Sequence, residues 1–313
     1  MAITKIKTGS REEWLALRRN YIGGSDAAAV VGLSPFSSPY RVWAEKSGLI
    51  DGFGGNLATE VGSFLEEFVA GLFERETGKK VRRLNASIVN TAYPWAIADV
   101  DRVLVGTKEG LEIKTTSALA TKKFKNGEFP TQYYCQCVHY LAVLGPEWKR
   151  WNLAVLIGNS DFRTYTIERD EDEIAALMKA EAELMEKIKN GTPPETHDGD
   201  GSVMDSVFAC DAEKSVDVSG IANLLEEYTR LKEDIDELEH RRSEIGTKIR
   251  GFLQDASSGE CDSWSVSYRE TTRSTFDRKA YEKDNGKIDA KYFKSTTSRP
   301  LYVNMKNEKE NQE

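Results

Sequence analysis

The segment "EGLEIKTTS", from Glu109 to Ser117, carries a carboxylate and an ammonium inside what reads as a strand. In extended backbone Leu111 and Ile113 share one face, so Glu112 and Lys114 share the other. Upstream, "WAIADVDRVLV" sets Asp99 and Asp101 on one face of a second extended run. A short hairpin through "GTKEG" returns the chain and brings Asp101 beside Glu112. Two carboxylates with a neighbouring lysine suit a hard divalent cation, because Mg²⁺ takes oxygen ligands and keeps waters. The lysine then orients or deprotonates a metal-bound water. The same residues also read as a plain cross-strand surface pair, and Glu147-Trp148-Lys149 repeats the triplet where nothing else supports a site.

A third acid comes from "GGNLATEVGSFLEEFVAGLFERETGKK", which predicts a long amphipathic helix ending at Gly78. At about 100° per residue from Val61, the apolar stripe holds Val61, Phe64, Leu65, Phe68, Val69, Leu72 and Phe73. Glu66 falls near 140°, just past the stripe, and Glu67 near 240° among polar neighbours. Gly62, at about 100°, leaves room beside Glu66. Glu66 then leans toward the sheet, or is a boundary glutamate without a partner, while Glu67 faces water.

The elements around these acids follow from caps and periodicity. "GSREEWLALRRN" opens a helix with Ser10 and Glu13 spaced as a capping box. "IGGSDAAAVVGL" gives two glycines, Ser25 as N-cap and a short apolar helix. Free N–H groups at that helix start attract anions, so Ser25 serves as a cap, as an anion ligand, or as both. Arg18, seven residues earlier, is placed to close on a phosphate, whereas Arg19 reads as a solvated charge. "SSPYRVWAEKSG" has Ser38 as cap and Pro39 at the first helical position. Strand-like runs follow at 86–90, 100–105 and 110–116. A helix over 130–145 places Tyr133, Gln136, Cys137, Tyr140 and Leu144 on one face, so Gln136 points into a cleft or is a buried, satisfied amide. Strands near 151–157 and 163–168 precede a helix with apolar Ile174, Leu177, Met178, Leu184, Met185 and Ile188. The run Lys122, Lys123 and Lys125 suits a DNA backbone, and equally an exposed loop.

Four stretches in this order, "LRRNYIGGSDAA", "VGSFLEEFVAGLFERETG", "AIADVDRVLVGTKEGLEIKT" and "YYCQCVHYLAV", resemble the YqaJ-type viral recombinases. These are relatives of phage lambda exonuclease in the PD-(D/E)xK nuclease superfamily. The resemblance covers about residues 11 to 170. It implies Glu66, Asp101, Glu112 and the Ile113 carbonyl as metal ligands and Lys114 as the water-activating residue. Gln136 and Tyr133 match the glutamine and tyrosine of the family's Tyr-x-x-Gln helix. Arg18 and Ser25 match the pair that holds a terminal 5′-phosphate. The chain departs from the motif where Val100 replaces its proline, and Asp99 is a competing carboxylate; the spacing to Glu112 favours Asp101.

The implied activity is Mg²⁺-dependent 5′→3′ digestion of double-stranded DNA ends, with Mn²⁺ as an acceptable substitute. It would leave 3′ single strands for a single-strand annealing protein, in a homo-oligomeric enzyme encoded by a phage or prophage. Two alternatives are a Cas4- or RecB-like nuclease of the same superfamily and a non-catalytic DNA-end-binding assembly factor. The first would use an iron–sulfur cluster, but Cys135 and Cys137 lie inside one predicted helix, with Cys210 and Cys261 far off in sequence.

Composition agrees with a globular chain: 313 residues, 39% hydrophobic, with four cysteines and three histidines, too few for a disulfide framework or a His-rich metal site. No run approaches a membrane span, and the N-terminus lacks a signal-peptide core, so a cytoplasmic location without membrane attachment is expected. The net charge of −8 hides an uneven distribution. Residues 168–200 hold eleven acids against four bases, and residues 1–50 hold seven bases against four acids. The total therefore does not oppose a nucleic-acid partner.

The expected fold is α/β, a mixed central sheet flanked by helices as in restriction endonucleases. The nuclease domain is expected over 1–195 and a linker over 196–220. A coiled-coil-like helix over 221–255 follows, then a small β segment and polar tail over 256–313. In that helix Leu224, Tyr228, Leu231, Ile235, Leu238, Ile245, Ile249 and Phe252 alternate spacings of four and three, with Arg242 interrupting. It is either a coiled coil used in assembly or a helix packed on its own domain.

Overall fold

The computed structural model describes residues 2–296 and 298–305; the end of the expected polar tail, 306–313, lies outside the described residues. The chain divides into two compact units, Met1–Cys210 and Asp211–Glu313.

The first unit begins with β1 (Ile3–Ile6) and α1 (Arg11–Arg19). Ser10 caps α1 by accepting from the Glu13 N–H at 3.1 Å, while the Glu13 carboxylate reaches back to the Gly9 N–H. Then come β2 (Ile22–Gly23), α2 (Gly24–Val30), α3 (Pro39–Lys46) and α4 (Leu57–Thr77). The N-cap of α2 is Gly23, not Ser25: the Asp26 side chain accepts the Gly23 N–H at 3.0 Å, which leaves the Ser25 hydroxyl for another partner. Ser38 caps α3 as expected, with Pro39 at its first position. Gly78 ends α4 at φ 72°, a left-handed conformation that suits glycine.

The strands form two sheets rather than one. β4 (Ser87–Asn90) and β5 (Tyr93–Ala98) join β1 and β2 in the order β1-β4-β5-β2. The second sheet has the order β3-β6-β7-β8-β9, built from β3 (Val81–Arg82), β6 (Arg102–Leu104), β7 (Glu109–Thr116), β8 (Arg150–Ile157) and β9 (Asp161–Glu168). In it β7 and β8 pair in parallel while the other pairs are antiparallel. Residues 99–101 carry the chain from one sheet to the other, so Asp99 and Asp101 sit at a break, not inside one strand.

Between β7 and β8 runs α5 (Thr131–Leu144), buried from Cys135 to Leu144. It is followed after β9 by α6 (Glu171–Asn190), whose Ile174, Leu177, Met178, Leu184 and Met185 are buried as the periodicity predicts. An unforeseen polar pair ties these helices together: His139 Nδ1 meets Glu181 Oε1 at 2.8 Å in a fully buried setting. Residues expected as linker instead contain α7 (Gly201–Val207), with Val203 buried and Asp200 bonded to Ser38 Oγ at 2.5 Å. A buried anchor of that kind belongs to a domain, and it moves the boundary to Cys210.

The apolar stripe of α4 is only half used. Val69, Ala70 and Phe73 are buried against β7 and β8, whereas Phe64 is 85% exposed, with Val61 and Phe68 also exposed. The first half still approaches β7 at Gly62, where a Cβ would lie 3.2 Å from Thr115 Oγ1, while Val61, Phe64 and Phe68 remain toward solvent.

The second unit consists of α8 (Ala222–Leu253), the hairpin β10 (Ser258–Glu260) and β11 (Ser265–Ser267), and α9 (Arg278–Asn285), a helix within the stretch expected as tail. The heptad residues of α8 are exposed, so the helix is not packed through that seam onto its own unit.

Candidate functional site

The hairpin register sets the acids. Arg102 pairs with Leu111 and Val103 with Gly110, so Asp101 lies opposite Glu112. Asp101 Oδ2 accepts the Ile113 N–H at 2.8 Å. In a strand the N–H and C=O of one residue face the same edge, so the Ile113 carbonyl faces the Asp101 side.

Glu112 is almost wholly buried, yet it is surrounded by donors on one side only. Its Oε1 receives Lys114 Nζ at 2.6 Å and Gln136 Nε2 at 2.7 Å. Its Oε2 is buried without a hydrogen-bond partner among the described residues. Gln136 also donates to the Tyr140 hydroxyl at 2.8 Å, which in turn donates to the Asp99 carbonyl at 2.8 Å. Gln136 is therefore both buried and aimed at the acids. The Lys114 ammonium lies over the Tyr133 ring at 5.4 Å.

Burial raises the Asp101 carboxyl well above the ordinary range, and the nearby Glu112 and Glu66 charges add to it. Burial alone would weaken the Lys114 ammonium, but the Glu112 and Asp101 carboxylates outweigh it and hold Lys114 above its usual value. Lys114 thus sits as an ammonium held by the Glu112 and Asp101 carboxylates.

One cleft of about 480 Å³ gathers Glu66, Asp101, Glu112, Ile113, Lys114 and Gln136 with Arg18 and Ser25. Tyr133 stands beside it, beneath the Lys114 ammonium. Arg18 Nη2 donates to Ser25 Oγ at 2.6 Å, the partner freed by the Gly23 cap, and its guanidinium stacks on Trp14 at 5.0 Å. A Cβ on Gly23 would come within 2.8 Å of Arg18 Nη2, so glycine there makes room for the guanidinium. Lys46 braces the group from behind through Asp26 Oδ2 at 2.9 Å and the Arg18 carbonyl at 3.0 Å. Asp99 lines the same cleft, bonded to Ser87 Oγ at 2.5 Å and 3.9 Å from Arg18 Nε. Arg19 is exposed, as are Lys122, Lys123 and Lys125 around buried Phe124.

Glu66 lines the cleft, but its carboxylate is held by Arg102, with Arg83 at 3.6 Å. Arg102 is buried and spans to Glu67 at 2.8 Å, which leaves Glu67 itself mostly exposed. Among the described residues no three His, Cys, Asp or Glu stand close enough to hold one metal ion. The expected convergence of Glu66, Asp101 and Glu112 is thus a shared cleft, not a closed ligand cluster, because the guanidinium beside Asp101 competes for Glu66. Sequence reasoning missed Arg102, Trp14 and the hydroxyl role of Tyr140. An arginine beside a strand acid and a tryptophan on an exposed helix are the signals that were present, and neither names its partner.

The pattern described as YqaJ-like viral recombinase domain matches residues 13–147, a span that contains each of these cleft residues. The YqaJ protein of Bacillus subtilis (strain 168) is 36% identical over 284 residues, covering 88% of this chain and 89% of that protein. Protein D345L of African swine fever virus (strain Badajoz 1971 Vero-adapted) is 38% identical over 63 residues, 20% of this chain and 18% of that one. Among solved structures, an alkaline exonuclease from Laribacter hongkongensis overlays with a TM-score of 0.49 at 20% identity, covering 57% of this chain and 93% of that chain. The extent and identity of the Bacillus match make the conclusion plain: the chain belongs to the YqaJ family.

Proposed function

We propose that this protein is a metal-dependent DNA exonuclease of the lambda-exonuclease type, hydrolysing phosphodiesters from the 5′ ends of duplex DNA. The observation that carries the reading is the Glu112 carboxylate. One oxygen is gripped by Lys114 and Gln136, while the other is buried without a partner beside a second acid that burial and repulsion hold above its usual range. Two adjacent buried carboxyl groups, one with an unpartnered oxygen, fit a hard cation, which would offset their mutual repulsion.

Asp101, Glu112 and the Ile113 carbonyl are the groups that would hold Mg²⁺, or Mn²⁺ in its place, with Glu66 as the further carboxylate of the cleft. The chemistry such a cation would supply is polarisation of the phosphate and a lowered pKa for an attacking water. Lys114 contributes a fixed positive charge near the attacked phosphate, and Gln136 holds the Glu112 carboxylate in place. Arg18 and Ser25, in the same cleft, supply charge-assisted donors for a terminal 5′-phosphate. The product, a 3′ single strand, suits an annealing protein, and a homo-oligomer would keep the enzyme on its strand. The iron–sulfur alternative gains no support, since Cys135 and Cys137 lie two residues apart inside α5, where about 100° per residue sends their side chains to different faces.

Linear duplex labelled at either the 5′ or the 3′ end, incubated with Mg²⁺, tests the reading. It predicts early release of the 5′ label as mononucleotide, late release of the 3′ label and no release with EDTA. Release of the 3′ label first, or equal digestion in EDTA, would overturn it.

A further inference from the structure

We propose that α8 is a dimerisation helix that pairs antiparallel with α8 of a second copy of this chain. Every apolar seam position from Leu224 to Phe252 is 44–88% exposed, so nothing among the described residues of its own unit covers the stripe. The spacing is that of a two-helix seam, with Ile235 and Ile249 at one core position and Leu224, Leu231 and Leu238 at the other.

Charge selects the orientation. The residues that flank the seam, Glu227, Asp234, Arg241 and Lys248, run from acidic to basic along the helix. The ion pairs within α8 are His240–Glu244 and Arg242–Glu239, which leave those four without an ion-pair partner among the described residues. In an antiparallel pair with Ile235 packed on Leu238 of the second copy, Glu227 faces Lys248 and Asp234 faces Arg241. Each contact occurs twice by symmetry. On the opposite flank Lys232 faces Glu239. A slip of one heptad either way sets Asp234 against its own copy, or Arg241 against its own copy. A parallel pair instead sets Asp234 beside Glu239 of the other helix, which repels.

Arg242 occupies a seam position, where a polar residue lowers stability but restricts register. In the antiparallel pair it lies across from Leu231, and its head already turns outward to Glu239 at 3.3 Å. Nearly the whole helix overlaps in this register, a strip about 45 Å long and about 10 Å wide on each copy. The two strips together approach the roughly 1,000 Å² that marks a specific interface.

Sedimentation equilibrium of the full chain tests this without reference to catalysis, since none of these residues lines the cleft. Ile235→Lys should raise the dissociation constant of the helix-mediated association more than tenfold, halving the mass at micromolar concentration. Asp234→Arg, an exposed change that spares the seam, should weaken association several-fold, and Asp234→Arg with Arg241→Asp should restore it. Unchanged mass in Ile235→Lys overturns the proposal, and tighter association in Asp234→Arg overturns the antiparallel arrangement in favour of a parallel one.

Discussion

Arg18 and Glu112 show how single side chains divide the labour. Arg18 is stacked on Trp14, bonded to Ser25 and flanked by Asp26, so it is presented rather than free to wander. Arg18→Ala should slow digestion of 5′-phosphorylated ends about 10- to 100-fold, a loss of roughly 1.4–3 kcal/mol for a charge-assisted contact. Digestion of 5′-hydroxyl ends should change little, and a matched pair of end-labelled substrates measures the difference. Asp26 behind it makes a pH prediction. Burial raises its carboxyl, but Lys46 and Arg18 outweigh burial and leave it below the ordinary value. A depressed carboxyl contributes stability that is present above the unfolded value near 3.8 and lost as pH falls through the folded one. Asp26→Asn should therefore cost about 2 kcal/mol at pH 7 and progressively less below about pH 4, as read by denaturant unfolding. Type and spacing single out the acids, Lys114, Gln136, Arg18 and Ser25 as candidates, and only the family resemblance chooses among the roles open to each. Arg102 is not singled out, because a charged residue beside a strand acid reads as solvent-facing until the helix that carries Glu66 and Glu67 is laid over it.

At the scale of elements, caps and periodicity carried most of the reading, and failures came where a pattern needs a neighbour to be interpreted. Ser10, Ser38 and Gly78 bound their helices as local chemistry requires. Ser25 does not cap because α2 begins at Gly24, which places Ser25 inside the first turn and Asp26 where its carboxylate accepts the Gly23 N–H. Phe64 and Phe68 share a helical stripe with Phe73, and the stripe cannot reveal that β7 and β8 reach only Phe73. The alternation of "WAIADVDRVLV" runs unbroken across the point where β5 leaves one sheet and β6 enters the other. The packing of α2 on α5 is tight enough to test. A Cβ on Gly24 would come within 2.6 Å of the Tyr140 ring, whereas Gly71, in α4, has nothing within 4 Å. Gly24→Ala should destabilise by about 1–3 kcal/mol, since a packed core resists an added methyl. Gly71→Ala should stabilise by about 0.5–1 kcal/mol through backbone entropy, so calorimetric melting points should move in opposite directions.

For the molecule as a whole, net charge misleads and distribution informs. A chain of −8 places Arg18, Lys46 and Lys114 in or behind one cleft, while much of its acidity lies in α6 and the residues after it. Among the described residues no helix is long and apolar enough to cross a membrane, as expected from the sequence. The stretch "NGTPPETHDGDGS" is linker-like in composition, yet buried Asp200 ties its end to the first unit, whose limit at Cys210 falls inside the expected linker 196–220. The α/β layering, by contrast, follows directly from the alternation of strand and helix patterns. The account rests on Glu112 serving a cation and not merely bridging Lys114 to Gln136. Its most direct test compares wild type with Glu112→Gln, which keeps shape and hydrogen bonding, for Mn²⁺ binding by calorimetry and for cleavage of 5′-labelled duplex in Mg²⁺. The predicted result is at least a tenfold weaker ion and a cleavage rate lower by about 10²–10³. A Glu112→Gln protein that binds the ion and cuts DNA as wild type does would contradict the account.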